Sequence, residues 1–309
     1  MEYLQEILSL KDQILTETKV KVPSGIDNVV IAGMGGSGIA GKIFQEFYQS
    51  RPVTLVNSYE IPDFVDSRTF FVAISYSGNT EETLSATEEA IRKGAKVAAI
   101  TSGGKLATLV KDTFLVPGNF QPRSAVGYLT LPLLRGFGLI KDSDVLETRK
   151  LLENIDLQTE RLERFAKELS EGRKIPFIFG VPYLNSVAYR WKTQFNENSK
   201  VVAYSASFPE LNHNDTMALE STYRKDEMYF FVLTSKLSSK NIKNRIRITA
   251  EICNLKINEI EGEGSSLLSN VFTLIHKGDF ISYFLAKERG IDPRNVAIIE
   301  KLKSELRIA

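Results

Sequence analysis

The sequence has few of the residues that form disulfides and bind metals, with one cysteine and two histidines in 309 residues. Cys253 cannot form a disulfide or a thiolate zinc cluster within one chain. Its neighbours are typical of a helix end packed on a core, so we expect a buried structural thiol. The histidines, His213 and His276, are far apart, and no carboxylates with metal-ligand spacing accompany them. These absences favour a metal-independent protein of a reducing compartment.

An excess of charge of one sign is also lacking. The 39 basic and 38 acidic residues leave a net charge of +1, which gives no reason to expect nucleic acid or an anionic membrane as a partner. No apolar run approaches the ~20 residues that span a bilayer. The first residues also lack the basic and then apolar pattern of a signal peptide. We therefore expect a cytoplasmic protein.

The hydrophobic pattern predicts an α/β fold. Short apolar runs rich in β-branched residues alternate with longer helical patterns, which indicates parallel strands joined by crossover helices. The apolar runs are continuous rather than alternating, so we expect each sheet to be covered on both faces. In the first half, strands are predicted at 29–33, 52–56, 70–75, 96–101 and 113–116, with a helix from about Thr80 to Lys93.

The length predicts two domains, because 309 residues are many for a single core. A polar stretch from Lys141 to Arg149 precedes a long charged helix that we expect to end near Arg173. We place the boundary around 141–155, which gives an N-terminal domain of residues 1–145 and a C-terminal domain of residues 146–309. No Gly/Ser-rich or Pro-rich linker separates them, so we expect the halves to pack firmly together.

The second half repeats the first. Phe71–Ser75 matches Phe231–Ser235 at an offset of 160 residues. Ile31–Gly33 matches Ile178–Gly180 at an offset of 147 residues, so the second half has additional residues between its first and third strands. We expect this added length around 197–215. The pattern indicates two copies of one α/β unit.

The segment Ser-Tyr-Ser-Gly-Asn-Thr at 75–80 lies where the third strand ends and a helix begins. Ligands of parallel sheets bind at this edge, and a helix N-terminus offers free N–H groups and a positive dipole end. Ser75, Ser77 and Thr80 add three hydroxyl groups, and Gly78 lets the backbone approach a ligand closely. An ordinary helix cap is the alternative, but it needs fewer of these groups. We therefore predict a phosphate-binding loop.

A glycine-rich segment, 33–38, follows the first strand. Its Gly-x-Gly spacing could indicate dinucleotide binding, but the acidic residue expected after the second strand comes late, at Glu60. We predict instead that Gly35, Gly36 and Ser37 bring backbone N–H groups near a sugar, and that no cofactor is bound. The counterpart of the phosphate loop in the second half has lost the pattern, which predicts one phosphate site per chain.

Together these motifs resemble the sugar isomerase (SIS) fold, and among its members the archaeal-type bifunctional phosphoglucose/phosphomannose isomerases. The matching segments cover nearly the whole chain and are 33–38, 75–80, 100–104, 121–125, 195–198, 209–214 and 302–303. The resemblance implies two SIS-like three-layer α/β/α sandwiches with parallel sheets. It also implies a metal-independent conversion of glucose 6-phosphate, and of mannose 6-phosphate, to fructose 6-phosphate through a cis-enediol(ate).

The same resemblance implies roles for individual residues. Glu197, in Phe-Asn-Glu-Asn, corresponds to the base that moves the proton, and Arg123, in Gln-Pro-Arg, to the cation beside the enediolate. His213 and Lys303 correspond to the groups that assist ring opening and closure, although Lys301 is a nearby alternative to Lys303. In this fold the histidine generally reaches the active site of the partner subunit, which implies a homodimer.

Each candidate also has an ordinary structural interpretation. Glu197 could be a solvated acid near Lys200, His213 a capping residue of a loop, and Arg123 the partner of an acid. His276 lies in an apolar context and is expected in the core or an interface. The chain departs from the family at 290–297, which lacks the threonine that makes room for the C2 epimer, so the mannose 6-phosphate activity stays open.

Two other functions remain possible at this level. The isomerase half of an amidotransferase has the same fold, but it normally comes with a glutaminase domain. A non-catalytic sugar-phosphate sensor would use the same phosphate loop, but such regulators usually add a DNA-binding domain or a basic patch, which the near-neutral charge argues against.

Overall fold

The computed structural model of the chain describes residues 2–306. The first half contains α1 (Tyr3–Leu8), α2 (Leu10–Gln13), β1 (Asn28–Ala32), α3 (Gly35–Phe47), β2 (Val53–Val56), β3 (Thr69–Ile74), α4 (Glu81–Arg92), β4 (Lys96–Thr101), α5 (Gly104–Leu109), β5 (Asp112–Leu115) and α6 (Val126–Gly136). The remainder contains α7 (Asp142–Asp156), α8 (Glu160–Glu171), β6 (Ile175–Gly180), α9 (Asn185–Gln194), β7 (Tyr204–Ser207), α10 (Asp215–Ser221), β8 (Met228–Thr234), α11 (Lys240–Ile252), β9 (Ile257–Glu261), α12 (Leu267–Glu288) and α13 (Ala297–Leu306).

The strands form two parallel sheets of matching topology. Within residues 2–306 the first sheet has the order β2-β1-β3-β4-β5 and the second the order β7-β6-β8-β9. Every neighbouring pair in both sheets is parallel. The second sheet therefore reproduces the order of the first four strands, with β6 as the counterpart of β1 and β8 as that of β3. This confirms the two α/β units that the repeat predicted.

The predicted strands and the helix after the phosphate loop lie within one or two residues of the observed ones. The polar stretch after Lys141 is different, because it forms the helix α7 rather than a connection. The carboxylate of Asp144 accepts the backbone N–H of Lys141 at 3.0 Å, and acids in a first turn also suit the helix dipole. The single long helix expected to reach Arg173 is two helices, α7 and α8. The domain boundary near residue 145 stays a prediction, and it falls inside α7.

The hydrophobic core runs through both halves, as expected for halves that pack firmly. All six residues of β3 are buried, which fits a sheet covered on both faces. The mostly buried helix α12 packs against α7, α8 and α9. Between α9 and α12, Arg190 forms a buried bidentate pair with Asp279, with both N–O distances at 2.8 Å. Arg190 also donates to the backbone oxygen of Arg123 at 2.9 Å, which fixes a loop of the first half on the second half.

The added length of the second half lies mainly after β7. The connection 208–227 is longer than its counterpart 57–68 and includes α10. The expected position around 197–215 is therefore right only at its C-terminal end. In the earlier part of that segment, α9 continues into a π-helical turn at Phe195–Ser199. Such turns insert one residue into a helix and occur frequently at functional sites.

Two predictions about isolated residues are confirmed. Cys253 is buried at the end of α11, and burial raises the pKa of its thiol. His276 is fully buried on α12, with its Nε2 atom 2.7 Å from Oδ1 of Asp156. In residues 2–306, no helix combines the length and apolar character required to cross a bilayer.

Candidate active site

The two loops predicted to hold a sugar phosphate lie side by side at the carboxyl edge of the first sheet. The hydroxyl of Ser37, in the first turn of α3 after β1, accepts the backbone N–H of Tyr76 at 3.1 Å. In the loop after β3, the hydroxyl oxygens of Ser75 and Thr80 are 3.0 Å apart. Ser77 is exposed between them. The structure therefore brings the three predicted hydroxyl groups together with that of Ser37, whose predicted contribution is a backbone N–H. We name this group the anion cradle: Ser37, Ser75, Ser77 and Thr80.

The helix that follows the anion cradle starts without a side-chain cap. Thr80 is the N-cap residue of α4, but its hydroxyl makes no cap hydrogen bond and pairs with Ser75 instead. The hydroxyl of Thr83, in the first turn, is buried and has no hydrogen-bond partner among the described residues. Helix caps normally satisfy these first N–H groups. The open N-terminus of α4 thus has the form of a site for an anion.

Glycine is required at the turn of this loop. Gly78 has φ = +66°, and a Cβ atom there would lie 1.8 Å from the backbone oxygen of Gly103. The hydroxyl of Ser102 donates to the backbone oxygen of Tyr76 at 2.7 Å and ties the same two loops together. The loop after β4 therefore packs against the loop that contains Ser75, Ser77 and Thr80. A side chain at position 78 would push these two loops apart.

Gly36 lies where two segments of backbone meet. A Cβ atom on Gly36 would lie 2.8 Å from the Cα atom of Arg123, so the glycine allows these two backbones to touch. Gly35 has φ = +49° and is exposed, with open space where its Cβ would be. The close approach at Gly36 places Arg123 next to the first turn of α3, which contains Ser37. Direct contact of Gly35 and Gly36 with a sugar stays a prediction.

Arg123 is buried and held by groups from distant parts of the chain. Its Nε donates to Oδ1 of Asn198 at 2.8 Å, and its Nη2 donates to the backbone oxygen of Pro293 at 2.7 Å. Its Nη1 lies 3.2 Å from Oε1 of Gln121 and 3.4 Å from Oε2 of Glu197. Among the described residues these contacts use four of the five guanidinium N–H groups, so one N–H on Nη2 stays available.

Glu197 lies in the π-helical turn, with 29% of its side chain exposed. One carboxylate oxygen faces Arg123, and the partial exposure leaves the group accessible from outside. The next residues fix the turn: Lys200 adopts a left-handed conformation with φ = +54°, and its ammonium group donates to the backbone oxygen of Glu197. Burial, followed by the charge of Arg123, lowers the pKa of Lys200. Arg123 and Glu197 are thus brought together as predicted.

His213 and Lys303 are not brought to this pair within one chain. His213 is exposed at the end of a short 3₁₀ helix, Glu210–His213, and Lys303 is on the fully exposed helix α13. Across residues 2–306, no hydrogen bond or ion pair joins either residue to Arg123 or Glu197. Their assignment to the site stays a prediction.

Three groups that hold Arg123 cannot be recognised from the sequence: Tyr3, Asn198 and the backbone oxygen of Pro293. Tyr3 donates to Oδ1 of Asn198 at 2.8 Å, and its ring centroid is 5.1 Å from Cζ of Arg123. The third group is the backbone oxygen of Pro293, in the loop before α13. The only available signal was the position of Asn198 directly after Glu197, because nothing in the sequence shows that residues 3 and 293 lie near residue 123.

Comparison with known proteins gives the family. Residues 24–116 match the SIS domain, and residues 158–306 match the bacterial phospho-glucose isomerase C-terminal SIS domain. A bifunctional phosphoglucose/phosphomannose isomerase from Thermoplasma acidophilum is 52% identical over 306 residues, which cover 99% of this chain and 98% of that protein. A protein of the same name from Aquifex aeolicus is 37% identical over 90% of each chain.

Solved structures show the same fold at low identity. A hypothetical protein from Thermus thermophilus aligns with a TM-score of 0.76 and 15% identity, over 99% of this chain and 87% of that one. The two parallel sheets and the matched domains agree with two SIS-like α/β/α sandwiches. The chain is therefore an isomerase and belongs to the SIS-domain family of bifunctional phosphoglucose/phosphomannose isomerases.

Proposed function

We propose that this cytoplasmic enzyme interconverts glucose 6-phosphate and mannose 6-phosphate with fructose 6-phosphate, without a metal ion. One observation carries the proposal: the carboxylate of Glu197 and the guanidinium of Arg123 form a pair at 3.4 Å. The backbone of Arg123 also touches Gly36, in the first turn of α3 beside Ser37 of the anion cradle. A phosphate held in the cradle would leave the other end of an open-chain sugar near an acid and a cation. The names of the relatives support the same substrates.

The pair supplies what an aldose–ketose isomerisation needs. Glu197 takes the proton from C2 of the open-chain aldose, and the electron pair of that bond forms the C1–C2 double bond while O1 becomes negative. The free N–H of Arg123 stabilises this oxyanion where the charge develops. The hydroxyl proton on O2 moves to O1, and Glu197 returns its proton to C1, which gives the ketose. The guanidinium charge takes the place of a metal ion in this step.

We also propose that His213 and Lys303 assist ring opening and that His213 acts in the second subunit of a homodimer. Both side chains are exposed and lie outside the Arg123–Glu197 pair of their own chain. The loop that contains Pro293 leads directly into α13, so Lys303 is tethered to a segment that contacts Arg123.

Replacement of the carboxylate tests the mechanism. Glu197→Gln keeps the shape of the side chain but cannot accept a proton, so we expect kcat to fall by roughly 10²–10⁴-fold while fructose 6-phosphate still binds. Glu210→Gln, which changes an exposed acid near His213, is the matched control and should retain wild-type kcat. Unchanged interconversion by Glu197→Gln would show that the proposed base is wrong.

A mixture of two inactive variants tests the shared site. If each site needs Glu197 of one subunit and His213 of the other, then Glu197→Gln and His213→Gln dimers are each defective. A hybrid dimer contains one intact site, so unfolding and refolding the mixture should restore about a quarter of wild-type activity. No recovery in dimers shown to have exchanged subunits would place His213 in its own chain's site or outside the reaction.

The substrates are tested with the wild-type enzyme. We expect turnover of both glucose 6-phosphate and mannose 6-phosphate, unaffected by a chelator. Absence of all turnover, with fructose 6-phosphate still bound, would favour a sugar-phosphate sensor. Turnover of glucose 6-phosphate without turnover of mannose 6-phosphate would indicate that the mannose substrate needs the threonine that 290–297 lacks.

A further inference from the structure

We infer that Tyr3 and Asn198 are positioning residues that fix the guanidinium of Arg123 for catalysis, so that the N-terminal helix α1 forms part of the active site. This inference rests on the proposed role of Arg123 as the cation beside the enediolate. Among the described residues, neither Tyr3 nor Asn198 forms a hydrogen bond with a residue of the anion cradle.

The amide of Asn198 is the centre of the arrangement. Its Oδ1 accepts two hydrogen bonds, one from Nε of Arg123 and one from the hydroxyl of Tyr3, each at 2.8 Å. Its Nδ2 donates to the hydroxyl of Ser282 at 2.9 Å, and that hydroxyl donates to the backbone oxygen of Asp279 at 3.0 Å. A flipped amide would turn its NH₂ group towards two donors, so these partners determine its orientation.

One turn of the chain therefore holds both the base and the cation. Glu197 and Asn198 are successive residues of the π-helical turn, and they contact Nη1 and Nε of the same guanidinium. Asn198 is fully buried, whereas Glu197 is partly exposed. A change in the Asn198 amide would rotate the guanidinium relative to the carboxylate, and it would move the free N–H away from the developing oxyanion.

Helix α1 closes this arrangement from the first half of the chain. Tyr3 is buried, with its ring facing Arg123 and a ring-centroid distance of 6.3 Å to Tyr283. Burial raises the pKa of Tyr3, so its hydroxyl remains a proton donor to Asn198 across the working range of an enzyme. From the same helix, Glu6 accepts the backbone N–H of Gln121 at 2.8 Å and holds the segment that leads to Arg123.

Removal of one hydroxyl tests the role of Tyr3. In Tyr3→Phe the ring stays in place, but Asn198 loses one of the two donors that orient it. We expect kcat to fall about fivefold with KM for fructose 6-phosphate within about twofold of wild type, because the loss equals one hydrogen bond and the phosphate anchor is intact. Tyr283→Phe is the matched control, since among the described residues its hydroxyl makes no hydrogen bond, and its kcat should be unchanged.

Asn198→Asp gives a second and larger perturbation. A carboxylate of the same shape would neutralise part of the charge of Arg123, so we expect kcat to fall at least tenfold. In both variants, a phosphorylated five-carbon aldonate, whose carboxylate resembles the enediolate, should bind more weakly by a factor similar to the loss in kcat. The affinity for inorganic phosphate should be unchanged in both variants. A general structural defect would weaken phosphate binding as well.

The outcomes separate the two levels of the proposal. A wild-type enzyme that does not interconvert the sugars would overturn the proposed function and this role with it. An active wild type with unchanged kcat and aldonate affinity in folded Tyr3→Phe and Asn198→Asp would overturn the positioning role alone. Weakened phosphate and aldonate binding to the same extent would also overturn it, because the defect would then extend to the anchor.

Discussion

The third strand of each sheet ends in a loop and a helix, but the two helices begin differently. At the start of α11, the hydroxyl of Ser239 accepts the N–H of Ile242, which is an ordinary cap. Ser235, the counterpart of Ser75, donates to Oδ1 of Asn270 at 2.7 Å and accepts the N–H of Leu237 at 3.0 Å. At the start of α4 no side chain caps the helix. Both loops use their hydroxyl groups in internal hydrogen bonds, but only in the first loop do these bonds leave the helix N-terminus without a side-chain cap.

The helices after the first strands show the same contrast. The N-terminus of α9 is occupied by the carboxylate of Glu46, which accepts the backbone N–H of Ser186 at 2.9 Å and the Ser186 hydroxyl. The equivalent helix α3 begins at Gly35 with no side-chain cap. At the second sheet, side chains of the protein therefore accept N–H groups at the starts of α9 and α11. At the first sheet, no described side chain caps α3 or α4.

The comparison teaches how two units of one repeat come to differ at the same edge of their sheets. The strand order is the same, so the fold alone does not make the anchor. Uncapped helices cost stability, because each missing cap is worth about 1 kcal/mol. A ligand with negative charge recovers that cost on binding. At the second sheet the caps come from Ser239 and from Glu46 of α3, and the second half supplies Glu197 to the proposed pair.

The largest expected effect comes from a negative charge placed in each loop at matched positions. Ser77→Asp puts a carboxylate in the anion cradle, where it would repel the substrate phosphate, so we expect KM to rise about 100-fold, or roughly 2.7 kcal/mol. Leu237→Asp is the counterpart at an offset of 160 residues and is also exposed. Its KM should stay within about twofold of wild type.

A second readout does not depend on turnover. Inorganic phosphate that binds only the folded protein raises Tm, and the increase should occur in wild type and Leu237→Asp but vanish in Ser77→Asp. An equal rise of KM in both aspartate variants would mean that the two loops do not differ in the way their hydrogen bonds indicate.

Removal of one hydroxyl from each helix start should produce opposite defects. Thr80→Ala removes the hydroxyl that would donate a hydrogen bond to the charged substrate phosphate. We therefore expect KM to rise about tenfold with little change in Tm. Ser239→Ala removes a helix cap, so we expect a loss of about 1 kcal/mol in the free energy of unfolding with unchanged KM. Denaturant unfolding and steady-state kinetics on both variants measure this. A loss of stability in Thr80→Ala equal to that in Ser239→Ala would identify Thr80 as an ordinary cap.

The grouping of hydroxyl groups after β3 could be predicted from the sequence because its information is local. Ser75, Ser77 and Thr80 lie within six residues at a junction of strand and helix, and the pattern of hydroxyls and glycine is sufficient to identify them. The repeat was equally visible, because buried strands leave continuous apolar runs at a constant spacing. The polar stretch that became α7 was misjudged because polar composition does not distinguish an exposed helix from a loop.

The contacts of Arg123 could not be predicted in the same way. Tyr3 and Asn198 are 195 positions apart, and their hydrogen bond depends on how the two halves pack. The resemblance to a family identified Arg123 and Glu197, but it gave no partner for the guanidinium. Within residues 2–306, no hydrogen bond or ion pair joins His213 or Lys303 to Arg123 or Glu197, so their roles stay predictions.

The smallest effect is expected from Glu46, which occupies the start of α9. Glu46→Gln keeps an acceptor for Ser186, so the free energy of unfolding should fall by less than about 1 kcal/mol at pH 4. Burial raises the pKa of Glu46 above that of the unfolded chain, so its contribution is fully present below the unfolded pKa. It is lost as the pH rises through the folded pKa. The stability advantage of wild type over Glu46→Gln should therefore shrink from pH 4 towards pH 8 in denaturant unfolding.

Glu88→Gln, on the exposed face of α4, should show no such trend. An advantage that grows with pH would mean that Glu46 is held as a favourable anion, and the start of α9 would then be an anion site that a carboxylate of the first half fills.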